Sequence, residues 1–274
     1  MNRPRVMGIV NVTPDSFSDG GRLASVEAAV AHGLRLVEQG ADILDIGGES
    51  TRPGAAPVAE AEEIARVVPV IEGLRACWPG PISIDTMKPA VARAAVAAGA
   101  KMWNDVTALG FAPDSLAAAA ALGCDVVLMH MQGEPRTMQA HPSYEDVVVE
   151  VADWLAARAG AAMAAGVARE RIWLDPGLGF GKTAAHNLAL TARLDRLVAT
   201  GFPILYGASR KRVIQSVDPT AADPADRLGG SLALALAAAR GGASILRVHD
   251  VRETAQALAV HAAVGAAMVR AADP

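Results

Sequence analysis

Short apolar runs alternate with longer stretches of helical period along the whole chain. The runs lie at Val6–Val10, Ile43–Ile46, Ile82–Asp85, Met102–Asp105, Val126–His130, Ile172–Asp175, Ile204–Tyr206 and Ile245–Val248. They are apolar rather than alternating, as expected of strands buried on both faces of a parallel sheet. The stretches between them read as helices. Ser25 is a candidate N-cap, after which Val26, Ala29, Val30, Leu34 and Val37 share one face, and Gly40 can end the helix. The last helix opens with Asp250-Val251-Arg252-Glu253, a cap residue with Glu three positions later, and should turn Val251, Ala255, Leu258 and Ala262 to the core. Within the helix near Ala59–Ala76, Pro69 removes a backbone donor and predicts a kink.

Eight such β-α units predict an α/β fold, a single (β/α)8 TIM barrel with its active site at the C-terminal ends of the strands. The alternative is a doubly wound open sheet. No linker, low-complexity segment or repeat divides the chain, so residues 1–274 are expected to form one domain.

Composition narrows the class. Hydrophobic residues make up 52% and aromatics only 4%, so the core must be aliphatic. The net charge of −4 is interspersed rather than blocked, which excludes the basic footprint of a nucleic-acid binder. Val6–Val10, behind Arg3 and Arg5, is too short for a signal-peptide core. No segment reaches the ~20 apolar residues that span a bilayer, so no membrane partner is expected. Cys77 and Cys124 are expected to be buried, reduced thiols, in keeping with a cytoplasmic location.

The barrel rule gives a sharp test, because polar residues should gather just past each strand, and they do. Asn11 follows the first strand; Asp45 and the Glu49–Arg52 loop follow the second; Asp85-Thr86 and Asn104-Asp105 close the third and fourth. His130 and Asp175 close the fifth and sixth, Ser209-Arg210-Lys211 follows the seventh, and Arg247, His249 and Asp250 end the eighth. A lone acid at a strand end is commonly a cap, but eight polar ends together point to a site. Asp85, Asn104 and Asp175 suit the hydrogen-bonding edge of a flat nitrogen heterocycle, since a carboxylate accepts paired N–H bonds and an amide both donates and accepts. Arg52, Lys211, Arg247 and His249 suit phosphate or carboxylate.

The long Asn11–Gly21 loop carries Phe17 in a polar string and reads as a lid. The run Gly177–Thr183 is not a P-loop, because Pro176 stands where the first glycine is required. H-E-x-x-H is absent, and His32, His141, His186 and His261 read as surface or capping residues rather than ligands. A Mg²⁺ bound mainly through substrate phosphates needs only one or two protein oxygens.

Taken in order, these motifs resemble the dihydropteroate synthase family of pterin-binding barrels. The matching segments are NVTPDSFSDGG (Asn11–Gly21), DIGGESTRPG (Asp45–Gly54), ISIDT (Ile82–Thr86), Asn104-Asp105, MHMQG (Met129–Gly133), DPGLGFGK (Asp175–Lys182), SRK (Ser209–Lys211) and RVHD (Arg247–Asp250). The resemblance implies condensation of 6-hydroxymethyl-7,8-dihydropterin diphosphate with 4-aminobenzoate to 7,8-dihydropteroate and pyrophosphate. It also implies Mg²⁺ as cofactor, a homodimer, and sensitivity to sulfonamides. It assigns Asp85, Asn104, Asp175 and Lys211 to the pterin, with Met129 and Phe180 packed near it and Arg247 against its ring. Asn11 is assigned to Mg²⁺, and Thr51, Arg52, Arg247 and His249 to the diphosphate. Phe17, Pro53 and Ser209, with Lys211, are assigned to the borders of the aminobenzoate. The catalytic set is then Arg52, Lys211, Arg247 and His249, acting in a dissociative loss of pyrophosphate.

The chain departs from common family forms at Met87, Leu178, Arg212 and Gln215-Ser216, and Arg212 could add a cation for the aminobenzoate carboxylate. The competing functions are a methyltetrahydrofolate-binding methyltransferase module and a non-catalytic pterin carrier. Neither needs a diphosphate site.

Overall fold

The structure, a computed structural model, describes residues 3–12, 21–50, 56–133 and 138–272. Eight parallel strands, β1 (Arg5–Asn11), β2 (Ile43–Gly47), β3 (Ile82–Asp85), β4 (Met102–Asp105), β5 (Asp125–Met129), β6 (Ile172–Asp175), β7 (Leu205–Tyr206) and β8 (Ile245–Val248), pair in the order β6-β5-β4-β3-β2-β1-β8-β7. A parallel bridge from Leu174 to Ile204 brings β6 against the start of β7 and completes the ring. This is the (β/α)8 barrel, not the open sheet.

The helices among the described residues are α1 (Gly21–Glu38), α2 (Glu60–Cys77), α3 (Pro89–Ala97), α4 (Ser115–Leu122), α5 (Val147–Ala164), α6 (Ala184–Ala192), α7 (Leu194–Val198), α8 (Arg212–Val217), α9 (Leu228–Arg240) and α10 (Val251–Ala272). Their apolar stripes close on the outer faces of the strands. Leu36, Val70, Ile71, Leu74, Val151 and Leu155 from the helices join Val10, Ile46, Ile84 and Leu128 in one core.

Several local expectations change. Helix α1 begins at Gly21 rather than after Ser25; Leu23 lies three positions before Val26, so the apolar period already extends one turn further back. Helix α2 contains Pro69 and continues past it to Cys77. Asp250 starts α10 through its carbonyl, which accepts the Thr254 N–H at 3.1 Å, while its side chain turns to Arg210. Val251 and Leu258 are buried but Ala262 is exposed, because the 22-residue α10 outruns the barrel it packs on. Cys124 is buried, with its thiol pushed up to about 11 by burial, whereas Cys77 is exposed at the end of α2.

Met7, Ile43, Met102, Val127, Leu205 and Ile245 form a separate small cluster with Trp173. The register pairs Met7 with Ile43, Val127 with Trp173 and Leu205 with Ile245, so these residues share the interior of the ring and plug it below the strand ends. Met102→Ala should open a cavity in this plug and lower stability by about 2–5 kcal/mol in urea denaturation. A loss under 1 kcal/mol would mean that the plug does not carry the barrel.

Candidate active site

Side chains alternate between the two faces of a strand. Two residues above the apolar plug, the same interior face therefore carries Asp45, Asp85, Asn104, Met129, Asp175 and Arg247. Asn11 and Gly47 come next above Ile9 and Asp45. The parallel register holds them level: Asp85 pairs with both Gly47 and Asn104, and Met129 pairs with Asp175. The alternation was hidden in the sequence because most positions on both faces are apolar before the last interior one.

Arg247 is the hub of this layer. Its Nε donates to Asp45 Oδ2 at 2.5 Å and its Nη2 donates to Asp85 Oδ2. Asn104 Nδ2 donates to the same Asp45 oxygen at 3.2 Å. Burial alone would lower the guanidinium pKa, yet the charges of Asp45, Asp85 and Asp175 hold it raised. Burial lifts Asp85 to about 7 despite Arg247, with Asp45 and other acids adding to the rise. Burial likewise raises Asp175 against the pull of Lys211, and Asp175 Oδ1 accepts the Gly177 N–H at 2.7 Å. Lys211 is lowered to about 8, first by burial, with Asp175 opposing. Its ammonium donates to Leu178 O at 2.5 Å and lies 4.9 Å from the centre of the Phe180 ring.

Asp85, Asn104, Asp175, Lys211, Arg247, Met129 and Phe180 thus meet at one mouth. Ser209 and His249 adjoin it from the ends of β7 and β8, with Ser209 Oγ accepting the His249 backbone N–H at 3.2 Å and lying 3.1 Å from Nδ1. Asn11 stands exposed at the rim. A Cβ placed on Gly47 would lie 3.7 Å from Asn11 Oδ1 and 3.9 Å from Asp85 Oδ2, so the missing side chain leaves two hard oxygens bordering one gap. Phe17, Thr51, Arg52 and Pro53, and most of the expected lid, lie outside the described residues.

His130 does not belong to the mouth. It follows inward-facing Met129 and so points out of the ring, where it packs edge-on against Trp154 at 5.0 Å. Its Nδ1 lies 2.9 Å from Lys182 Nζ. That buried ammonium also donates to the carbonyls of His130, Gly177 and Phe180 at 3.3, 3.1 and 3.0 Å. Burial lowers Lys182 to about 7, and burial and Lys182 together lower His130 to about 3. The lysine of the glycine-rich run therefore staples two loops instead of reaching for phosphate. Asp105 also faces outward, and its carboxylate accepts from Thr107 and Leu109 to shape the turn after β4. His186 completes a capping box, its ring Nδ1 accepting the Thr183 N–H at 3.3 Å while its own N–H donates to Thr183 Oγ1 at 3.2 Å.

Two supports escaped the sequence reading. One is Asp45 as the counter-ion of Arg247, which its position two residues after Ile43 could have signalled. The other is Lys88, whose buried ammonium pairs with Glu49 and donates to Glu63 Oε2 at 2.6 Å and Val58 O at 2.7 Å. It ties α2 and both stems of the loop after β2 to the start of α3. Nothing in the local pattern marks it, since its partners lie 25 to 39 residues away. Lys88→Met should strand the fully buried Glu63 and cost about 3–5 kcal/mol in chemical denaturation. Arg247→Ala, stranding Asp45, should cost a similar ~3–5 kcal/mol. Wild-type stability in either variant would refute the pairing.

The comparisons with known proteins place the chain in a family. A family model described as pterin binding enzyme matches residues 7–249. The dihydropteroate synthase of Neisseria meningitidis serogroup B is 51% identical over 272 residues, covering 97% of this chain and 94% of that protein. The Xanthomonas albilineans dihydropteroate synthase solved with 4-aminobenzoic acid superposes with a TM-score of 0.90 at 57% identity, covering 97% of this chain and 94% of that one. The same enzyme in complex with 7,8-dihydropteroate gives a TM-score of 0.87 at 54% identity, covering 97% and 95%. The chain belongs to the dihydropteroate synthase family of pterin-binding enzymes.

Proposed function

We propose that this barrel condenses 6-hydroxymethyl-7,8-dihydropterin diphosphate with 4-aminobenzoate, giving 7,8-dihydropteroate and pyrophosphate. The observation that carries the reading is the convergence of Asp85, Asn104, Asp175 and Lys211 with Arg247 at one mouth. Asp85, Asn104 and Asp175 present acceptors and an amide to the pterin edge, while Lys211 donates to it. Met129 and Phe180 flank the ring, and Arg247 lies against it. The diphosphate falls to Arg247 and His249, with Thr51 and Arg52 from the loop after β2. Ser209, with Phe17 and Pro53, borders the aminobenzoate.

The reaction follows from this division of charge. The bond from the pterin CH₂ to the diphosphate oxygen breaks first, and the electron pair leaves with pyrophosphate. Arg247 and His249 stabilise the charge that grows on the leaving group. Asp85 and Asp175 favour the cation left on the pterin side. The neutral aromatic amine then adds to that carbon and loses a proton to solvent, so no strong general base is needed. Asn11 Oδ1, exposed at the rim, offers a hard oxygen donor suited to Mg²⁺. When bound, the ion would neutralise diphosphate charge.

We also propose a homodimer in the cytoplasm. Beyond Leu258, α10 presents exposed Val260 and Val264 among alanines, an apolar face that a second copy would cover. The exposed free thiol of Cys77 suits a reducing compartment. No described helix is long and apolar enough to cross a membrane.

Mixing the two substrates should release pyrophosphate, faster with Mg²⁺ than with a chelator, and a sulfonamide should compete with 4-aminobenzoate. A methyltransferase module or a carrier would release none. Affinity for the pterin should depend on pH in a bell shape. Below about 7 Asp85 holds a proton and cannot accept two N–H bonds, so affinity rises as it ionises. Above about 8 Lys211 loses its charge and affinity falls again. Calorimetry across this range decides it; a flat profile would remove both groups from the pterin contact.

A further inference from the structure

Arg210 adopts φ +60°, a left-handed conformation that a side chain disfavours. It sits between Ser209 and Lys211, both assigned to the substrates above, and three groups hold it. Its backbone N–H donates to Ser231 Oγ at 2.9 Å. Its carbonyl accepts from Nη1 of the buried Arg227 at 3.0 Å. Ser231 Oγ in turn donates to Arg227 O at 2.7 Å, so the two grips are one unit on α9 and the short helical turn before it. The Arg210 side chain leaves this unit and forms a two-pronged pair with Asp250, Nε to Oδ2 at 3.0 Å and Nη2 to Oδ1 at 2.5 Å. Asp250 directly follows His249.

We propose that Arg210, through its pair with Asp250, is a positioning residue that locks the Ser209–Lys211 turn to the end of β8. The inference rests on the reaction proposed above. A left-handed residue with no fixed partners would relax, and the turn would swing Lys211 away from Leu178 O and Phe180. The Asp250 pair also fixes the spacing between Ser209 Oγ and the His249 ring. The clamp therefore sets the distance between the end of the site that binds the pterin and the end that binds the aminobenzoate. A guanidinium fork suits this task because two parallel bonds fix orientation, which a single ammonium contact does not.

The test is a double-mutant cycle read on the full chain. Arg210→Asn keeps a residue that tolerates the left-handed backbone, without the added freedom of glycine, and removes the guanidinium fork; Asp250→Asn removes the opposite charge. Each single variant should raise the calorimetric Kd for the pterin diphosphate and the KM for 4-aminobenzoate by about tenfold, with Tm little changed. The double variant should be no worse than either single, and Arg210→Lys should fall between. Unchanged Kd and KM in the singles would overturn the proposal. So would a loss of kcat alone at constant KM, which marks lost folded enzyme, or effects that multiply in the double variant. A wild-type chain that binds the pterin diphosphate without releasing pyrophosphate would sink the reaction instead, and the Kd series would still decide the clamp.

Discussion

A single guanidinium buried among acids sets the character of this barrel. Arg247 enters from β8 and meets Asp45 from β2 and Asp85 from β3, 202 and 162 residues away in sequence. At an effective dielectric near ~20, two unit charges 4 Å apart attract by about 4 kcal/mol. Removing an ion from water costs several kcal/mol in practice, so one such contact does not offset the burial of both partners. Arg247 instead gathers several acids, and Asn104 adds a hydrogen bond to the shared Asp45 oxygen. The polar layer is tolerable only as a set, which is why it lies directly on a dry aliphatic plug that fixes the strands beneath it.

The same physics recurs outside the ring. Lys88 is buried between two glutamates and a carbonyl, and Lys182 is enclosed by three carbonyls and an imidazole. Each ammonium spreads its donors over acceptors from several segments. A strand end is stiff but the loop after it is not. These lysines and the Arg210–Asp250 pair supply the stiffness where function needs it. They stand on the outward side of the alternation or behind the mouth, and their role is to hold the loops on which the inward-facing residues depend.

The strands were legible in the sequence because apolar runs of this length, buried on both faces, have few other uses. Their bounds shifted by one residue at one or both ends of β1, β2, β5 and β7, with His130 and Ile204 falling outside β5 and β7. The mouth was legible too, because a parallel barrel forces every strand's C-terminal end to one side. What the sequence concealed was orientation. Asn104 and Asp105 are adjacent, yet one faces the mouth and the other shapes a turn; Met129 and His130 divide in the same way. Counting in twos from the apolar plug separates them, but the plug itself shows only when the register is known. Lys88 depends on partners from other segments, which no local pattern reveals, whereas Asp45 could have been placed by the same count of two from Ile43. Ala262 failed because period predicts a face and not where the neighbouring surface stops.

The perturbed groups give the site its readiness. Three inward carboxylates, Asp45, Asp85 and Asp175, share the cations Arg247 and Lys211. Asp85 is pushed up to about 7 and Lys211 down to about 8, so both titrate close to neutrality. A protein selected for stability alone would fill this layer with aliphatic side chains, as it does two residues lower. Within the retained polar layer, Asp45 Oδ1 is buried without a hydrogen-bond partner among the described residues. A pterin edge offers N–H donors to the acids, and a diphosphate offers negative charge to the cations. In the reaction proposed above, each half of the substrate would relieve a different half of the mismatch, and loss of pyrophosphate would undo one half while the pterin stayed held by the other. On that proposal, binding and bond cleavage would draw on one imbalance, set by the alternation of side chains along eight strands.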